Sequence, residues 1–218
     1  MRAIKLILLL AASRSVFSLL GQPSVPAGQS AGPLANLATN QPAYMTQVKH
    51  VGGPGLVPAD FAYVTFGANK FGFVMPPGFR PETEDAQKVT LVSADFSCLI
   101  TFRVLDAVPR GASELDPAFY REVALSRHPG GKIIEEFSLA AASRRGPAFD
   151  LRWNATGGVP RHERVLFIPS DAGVLEFSFV SSLEKFEASR PGFGAMLLSF
   201  RAADADGRLN MPVLSDRL

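Results

Sequence analysis

The sequence predicts an α+β domain, an antiparallel sheet of about six to seven strands sandwiched by helices. Three observations carry this expectation. Short apolar runs with period-two alternation recur between residues 61 and 180. The turns Arg144-Arg145-Gly146-Pro147, Gly157-Gly158-Val159-Pro160 and Ser170-Asp171-Ala172-Gly173 are short. Connections of that size join antiparallel neighbours, because a parallel crossover needs a dozen residues or more. Two segments carry helix signals instead, one after Asp116 and one before Phe200.

The elements follow in order. Ala62–Phe66 and Phe71–Met75 read as strands around the turn Gly67-Ala68-Asn69-Lys70, and Pro76, Pro77 and Gly78 stop the second. Val89 and Leu91 open another strand, and Cys98–Leu105 follows after a turn near Ser93–Ser97. Asp116-Pro117 is a helix start, with Asp at the N-cap and Pro at the first helical position. Leu115, Phe119 and Val123 form its apolar stripe, and His128-Pro129-Gly130-Gly131 ends it. Four strands come next: Ile133–Ala141, Ala148–Ala155, Glu163–Ile168 and Val174–Val180. A last helix is predicted over Ser189–Phe200, with Pro191 and Gly192 in its first turn, where missing amide bonds cost least.

The N-terminus gives an address. Met1-Arg2-Ala3-Ile4-Lys5 is basic and Leu6–Ala12 is apolar, which is the layout of an export signal over residues 1–27. The apolar run is shorter than the roughly 20 residues a bilayer span needs, and Arg14 interrupts it. No transmembrane span is expected once the signal is removed. Residues 28–60, rich in Pro, Gly, Ala, Ser and Gln, read as a flexible tether. The domain is expected over 61–203, followed by a tail at 204–218. Residues 1–27 hold three of the 22 basic residues and none of the 20 acidic ones, so the rest of the chain has a net charge of −1. A near-neutral domain lacks the electrostatic footprint of nucleic-acid binding. Cys98 is the only cysteine, which excludes an intrachain disulfide, and its place in the alternating Cys98, Ile100, Phe102, Val104 pattern puts it on an apolar strand face.

The order strands, helix, four antiparallel strands, helix opens on Phe71-x-Phe73-x-x-Pro76-x-Gly78-Phe79 and closes on Phe193, Leu197, Ser199 and Phe200. In this it resembles the PsbP-like α/β/α sandwich superfamily across residues 61–203. That group includes an extrinsic photosystem II subunit, a nuclear Ran-binding factor and many small exported bacterial proteins. The resemblance implies a non-enzymatic binding or assembly role. It carries no interface residue across, and nothing in the chain points to a thylakoid or nuclear address.

The motifs exclude several chemistries. There is no G-x-S-x-G elbow, and His50, His128 and His162 give no triad signal. His162-Glu163 would point to opposite faces of a strand, and Asp204-Ala205-Asp206-Gly207 lacks the later ligands of a calcium loop, so no metal is expected. No phosphate cradle is present, and no cofactor is expected. One constellation remains. Strand alternation places Asp150, Arg152, Arg164 and Glu176 on the sheet face opposite the Trp153 core. Glu135 and Glu136 cannot both join it. The bland reading is a solvated face laced with weak ion pairs. The functional reading is a polar concave surface that holds a protein partner or a small ligand. The expected function is therefore an exported, non-catalytic binding or assembly protein, with catalytic residues absent. The alternatives are an enzyme with a non-local site, using His162 and Asp150, and a structural protein of the cell envelope.

Overall fold

The computed structural model describes residues 44–53, 56–82, 87–105, 115–141, 143–204 and 206–209. The chain divides into two units at residues 39 and 40, and every described residue lies in the second. The export signal expected at 1–27 lies outside the described residues. Among the described residues no helix is long and apolar enough to cross a membrane.

Eleven strands and two helices are present among the described residues. β1 (Tyr44–Gly53), β2 (Leu56–Phe66) and β3 (Asn69–Val74) form an antiparallel meander, joined at its β3 edge by the two-residue β11 (Arg201–Ala202). The second sheet has seven strands in the order β4 (Phe79–Pro81), β5 (Val89–Ser93), β6 (Cys98–Leu105), β10 (Gly173–Ser182), β9 (Val159–Ser170), β8 (Arg144–Ala155) and β7 (Lys132–Ala141). All of its pairings are antiparallel, as the short turns require. α1 (Pro117–Ser126) lies between β6 and β7 in sequence, and α2 (Leu183–Ser199) follows β10.

The helices lie on opposite faces of the large sheet, so both faces are cores. On one face Phe177 and Phe179 of β10, Leu166 and Ile168 of β9, and Ile100 and Phe102 of β6 pack with Phe186, Phe193 and Met196 of α2 and with Phe71 and Phe73 of the small sheet. Phe200 sits at the meeting point, with its ring 4.8 Å from Phe177, 5.3 Å from Phe102 and 5.7 Å from Phe71. On the other face Phe149, Leu151, Val165, Phe167 and Val174 pack with Tyr120 and Ala124 of α1. Tyr44 ties the sheets together: its hydroxyl accepts from the Val104 amide at 2.6 Å, beyond the last β5–β6 pair.

Several sequence expectations need correction. The tether expected over 28–60 contains β1 and the first half of β2, so the ordered hairpin begins within it. Its Pro and Gly content hides strands that sit in a small outer sheet. The α1 start is as predicted, with Asp116 accepting from the Ala118 amide at 2.9 Å. Leu115 and Val123 of the expected stripe pack on the core beside the fully buried Tyr120 and Ala124, while Phe119 is exposed. α2 begins at Leu183, so Pro191 lies inside the helix rather than in its first turn. There it removes one backbone hydrogen bond. Cys98 is buried, as its strand position implies.

Two glycines meet local demands. Gly78 has φ +77 in the turn that carries Pro76 and Pro77, a conformation that favours glycine. A Cβ at Gly146 would lie 1.8 Å from the Phe167 carbonyl oxygen, so β8 can approach β9 there only without a side chain.

Truncating Phe200 removes the ring that joins four others, Phe71, Phe73, Phe102 and Phe177. Phe200→Ala is expected to cost about 3–5 kcal/mol. Leu198→Ala, at a position 76% exposed, should change stability by less than about 0.5 kcal/mol. Urea denaturation of the two variants checks the contrast.

Candidate functional site: a groove between helix and edge strand

The register separates the residues that alternation had grouped together. Asp150 is opposite Arg164, and Arg152 is opposite His162, on the face covered by α2. Glu176 is opposite Phe167 and belongs to the α1 face. The expectation that Glu176 joins Asp150, Arg152 and Arg164 is thus overturned. The reason is that Leu175, Phe177 and Phe179 face α2 while Phe149 and Leu151 face α1. The two apolar rows belong to different cores and could not serve as a common reference. Glu135 and Glu136 do separate, opposite Asp150 and Phe149.

On the α2 face Asp150 is 3% exposed and accepts two hydrogen bonds from Arg164, from Nε at 2.7 Å and from Nη2 at 2.6 Å. The fork satisfies both carboxylate oxygens, as a buried carboxylate demands. The Arg164 guanidinium also lies 4.6 Å above the Phe137 ring and 5.8 Å from that of Phe186. His162 stacks on Phe186 with ring centroids 3.4 Å apart, and its Nε2 is 3.7 Å from Asp150 Oδ2. That nitrogen is buried and makes no hydrogen bond. Burial pushes the His162 pKa down, against the opposing pull of Asp150 and with help from Arg152 and Arg164. Arg152 is exposed, and its side chain makes no ion pair or hydrogen bond among the described residues.

The α1 face carries a second polar network. Glu176 is 3% exposed and is clamped by Arg103 at 3.0 Å and by both Nη atoms of Arg127, just beyond the end of α1. Glu163 lies between His128 Nε2 at 2.5 Å and the Ser178 hydroxyl, which donates to it at 2.6 Å. The His128 ring stacks on Trp153 at 4.1 Å. Ser178, Glu163 and His128 are not a nucleophile set. In a triad the imidazole touches the hydroxyl, whereas here the carboxylate does. Among the described residues no group of three or more His, Cys, Asp or Glu gathers as metal ligands would.

A groove of about 520 Å³ opens beside Arg164, between α2 and β7. Leu139, Phe193, Leu197 and Leu198 give it apolar walls, and Arg145, Arg164 and Arg190 are its basic lining residues. Among the described residues no carboxylate lines it. Arg164 is committed to Asp150 and Arg190 contacts the exposed Glu187 at 3.1 Å, while Arg145 makes no ion pair or hydrogen bond among the described residues. A second cavity, of about 360 Å³, has mixed charge: Lys70, Arg144 and Arg201 share it with Asp171 and Asp204. Arg144 already pairs with Asp171 at 2.9 Å. Of the predicted residues only Arg164 reaches the groove. Sequence reasoning missed Arg145 and Arg190, since one sat in an assigned turn and the other at an assigned helix start.

No family model matches this chain, and no curated protein matches it in sequence. Solved structures similar in fold include the Ran-binding protein Mog1p of Saccharomyces cerevisiae, at 16% identity and TM-score 0.47 over 76% of this chain and 100% of that one. LpqN of Mycobacterium tuberculosis, involved in cell envelope biogenesis, is similar at 14% identity and TM-score 0.43 over 79% and 100%. Cyanobacterial PsbP of Synechocystis is similar at 11% identity and TM-score 0.42 over 78% and 99%.

The depressed pKa of His162 links stability to pH. The unfolded chain takes up a proton near pH 6.5, and the folded chain resists it. Stability contributed by neutral His162 is present above about pH 6.5 and is lost as pH falls through that value toward the folded pKa. His162→Gln should flatten this part of the profile, read as urea midpoints between about pH 7.5 and 5.

Proposed function

We propose that this is an exported, non-catalytic binding protein whose groove between α2 and β7 takes a ligand combining apolar surface with a carboxylate. The observation that carries the reading is the wall composition: among the described residues, three arginines and no acid, set against leucine and phenylalanine. A carboxylate entering such a groove meets Arg145, which has no competing intramolecular partner among the described residues. Apolar burial beside it excludes water and strengthens the charge interaction. Export is supported by the basic-then-apolar start of the chain. An assembly role and retention at the cell envelope are finer readings of the same binding function.

A second reading, an enzyme using His162 as a base oriented by Asp150, is favoured by their 3.7 Å approach. Against it, Nε2 is buried beneath Phe186, and Asp150 already receives both bonds from Arg164. A base must reach its substrate's proton.

Isothermal titration with dodecanoate and with dodecyltrimethylammonium tests the charge and apolar demands together. The account expects dodecanoate to bind and the cationic amphiphile not to bind. Arg145→Glu should weaken dodecanoate by about tenfold or more. Equal binding of both amphiphiles, or none, overturns the reading.

A further inference from the structure

Each sheet has two edges, and an edge strand offers unpaired amides and carbonyls to another chain unless something guards it. Three of the four edges here carry guards. β4 is three residues long and ends in Pro81, and β11 is two residues long. β1 carries Lys49 and a register shift between Val51 and Gly53. The remaining edge, β7, is guarded over half its length. Lys132, Glu135 and Glu136 are exposed there, and the register shifts between Ile133 and Glu135. The second half, Phe137-Ser138-Leu139-Ala140-Ala141, has no charge, no proline and no register shift. Among the described residues β7 pairs with β8 alone. This unguarded half runs beside the groove, since Ser138, Leu139 and Ala140 line it.

We infer that the groove takes an extended peptide segment of a partner protein, which adds as an eighth strand to residues 137–141 of β7 and sets a carboxylate against Arg145 or Arg190. The inference rests on the binding reading above and names the occupant of that same groove. Main-chain hydrogen bonds to an edge supply affinity, and side chains at alternate positions supply specificity. Five residues of strand offer about 17 Å of edge. Alternate side chains of the added strand fall toward Phe193, Leu197 and Leu198, the apolar wall supplied by α2. Charge selects the segment: among the described residues the lining has three arginines and no carboxylate. Residues 28–43 of this chain carry no charged side chain, so its own tether lacks the acid that the groove asks for.

The test uses the full mature chain. Peptides of eight residues are selected from a phage-displayed library, and the winning sequence is synthesised. A scan then replaces one backbone N–H at a time by N-methyl, with binding read by fluorescence anisotropy. Strand addition predicts a winner with an acidic residue. It predicts alternation along the scan, with N-methylation weakening binding by about tenfold at every second position and little between. Ser138→Lys, a charge placed on the exposed edge, should abolish binding, and Arg145→Glu should select against the acidic residue. Uniform tolerance of N-methylation overturns strand addition. Dodecanoate binding with no peptide selected overturns the peptide occupant and leaves the groove reading standing. Failure of both probes removes both readings. A dimer of the unliganded chain that dissociates on Ser138→Lys places a second copy on the edge and also overturns the inference.

Discussion

A sheet seven strands wide has two faces to cover, and the means of covering them shapes the rest of this molecule. Six inter-strand spacings make the sheet about 29 Å across. A helix with its side chains is about 10–12 Å wide and shields two or three strands. α2 packs against β10, β9 and β6 of the large sheet, against β3 of the small one, and reaches β7 at the far edge. The small sheet covers the β6 side, where Phe71 meets Phe102 and Tyr44 bonds Val104. Nothing equivalent among the described residues covers the β7 side, and the groove is the space left there. Its position follows from the mismatch between sheet width and helix width.

Burial on both faces also explains the polar residues within the layers. Asp150 and Glu176 are each 3% exposed, and each is held by guanidinium groups. Removing one partner of such a pair leaves a buried charge without compensation, whereas the intact pair contributes little net stability. Their value here is positional. The Asp150–Arg164 fork fixes a guanidinium at the groove floor, and the Arg127–Glu176 clamp fixes the end of α1 on the sheet. The remaining cations of the groove, Arg145 and Arg190, are set by the end of β8 and the middle of α2.

Much of this architecture was legible in the chain. Period-two alternation and short turns gave the antiparallel order β7, β8, β9, β10, and Asp116-Pro117 marked the start of α1. The marks that carried the family resemblance, Phe71, Phe73, Phe193, Leu197 and Phe200, all lie in one core cluster. Three features were hidden for physical reasons. Both faces of β10 are buried, so Glu176 beside Leu175 and Phe177 imitates an inside–outside strand. The first turns of α2 hold Glu184, Lys185 and Glu187 around one buried large residue, Phe186, with Leu183 exposed, and Pro191 imitates a helix start. The groove depends on register and on which strand forms the edge, and neither is written in local sequence. Arg164 was found because it opposes Asp150 across a predicted hairpin; Arg145 and Arg190 meet it only in three dimensions.

The proposed binding surface lies between α2 and β7, and site-specific photocrosslinking in the organism that makes the protein can locate it. A benzophenone amino acid placed at Leu198 reports on the groove, and one at Phe119, also exposed, reports on the outer side of α1. A discrete partner adduct is expected from position 198 and none from 119. An adduct from 119 with none from 198 would contradict it and move the functional surface to the opposite face of the sheet.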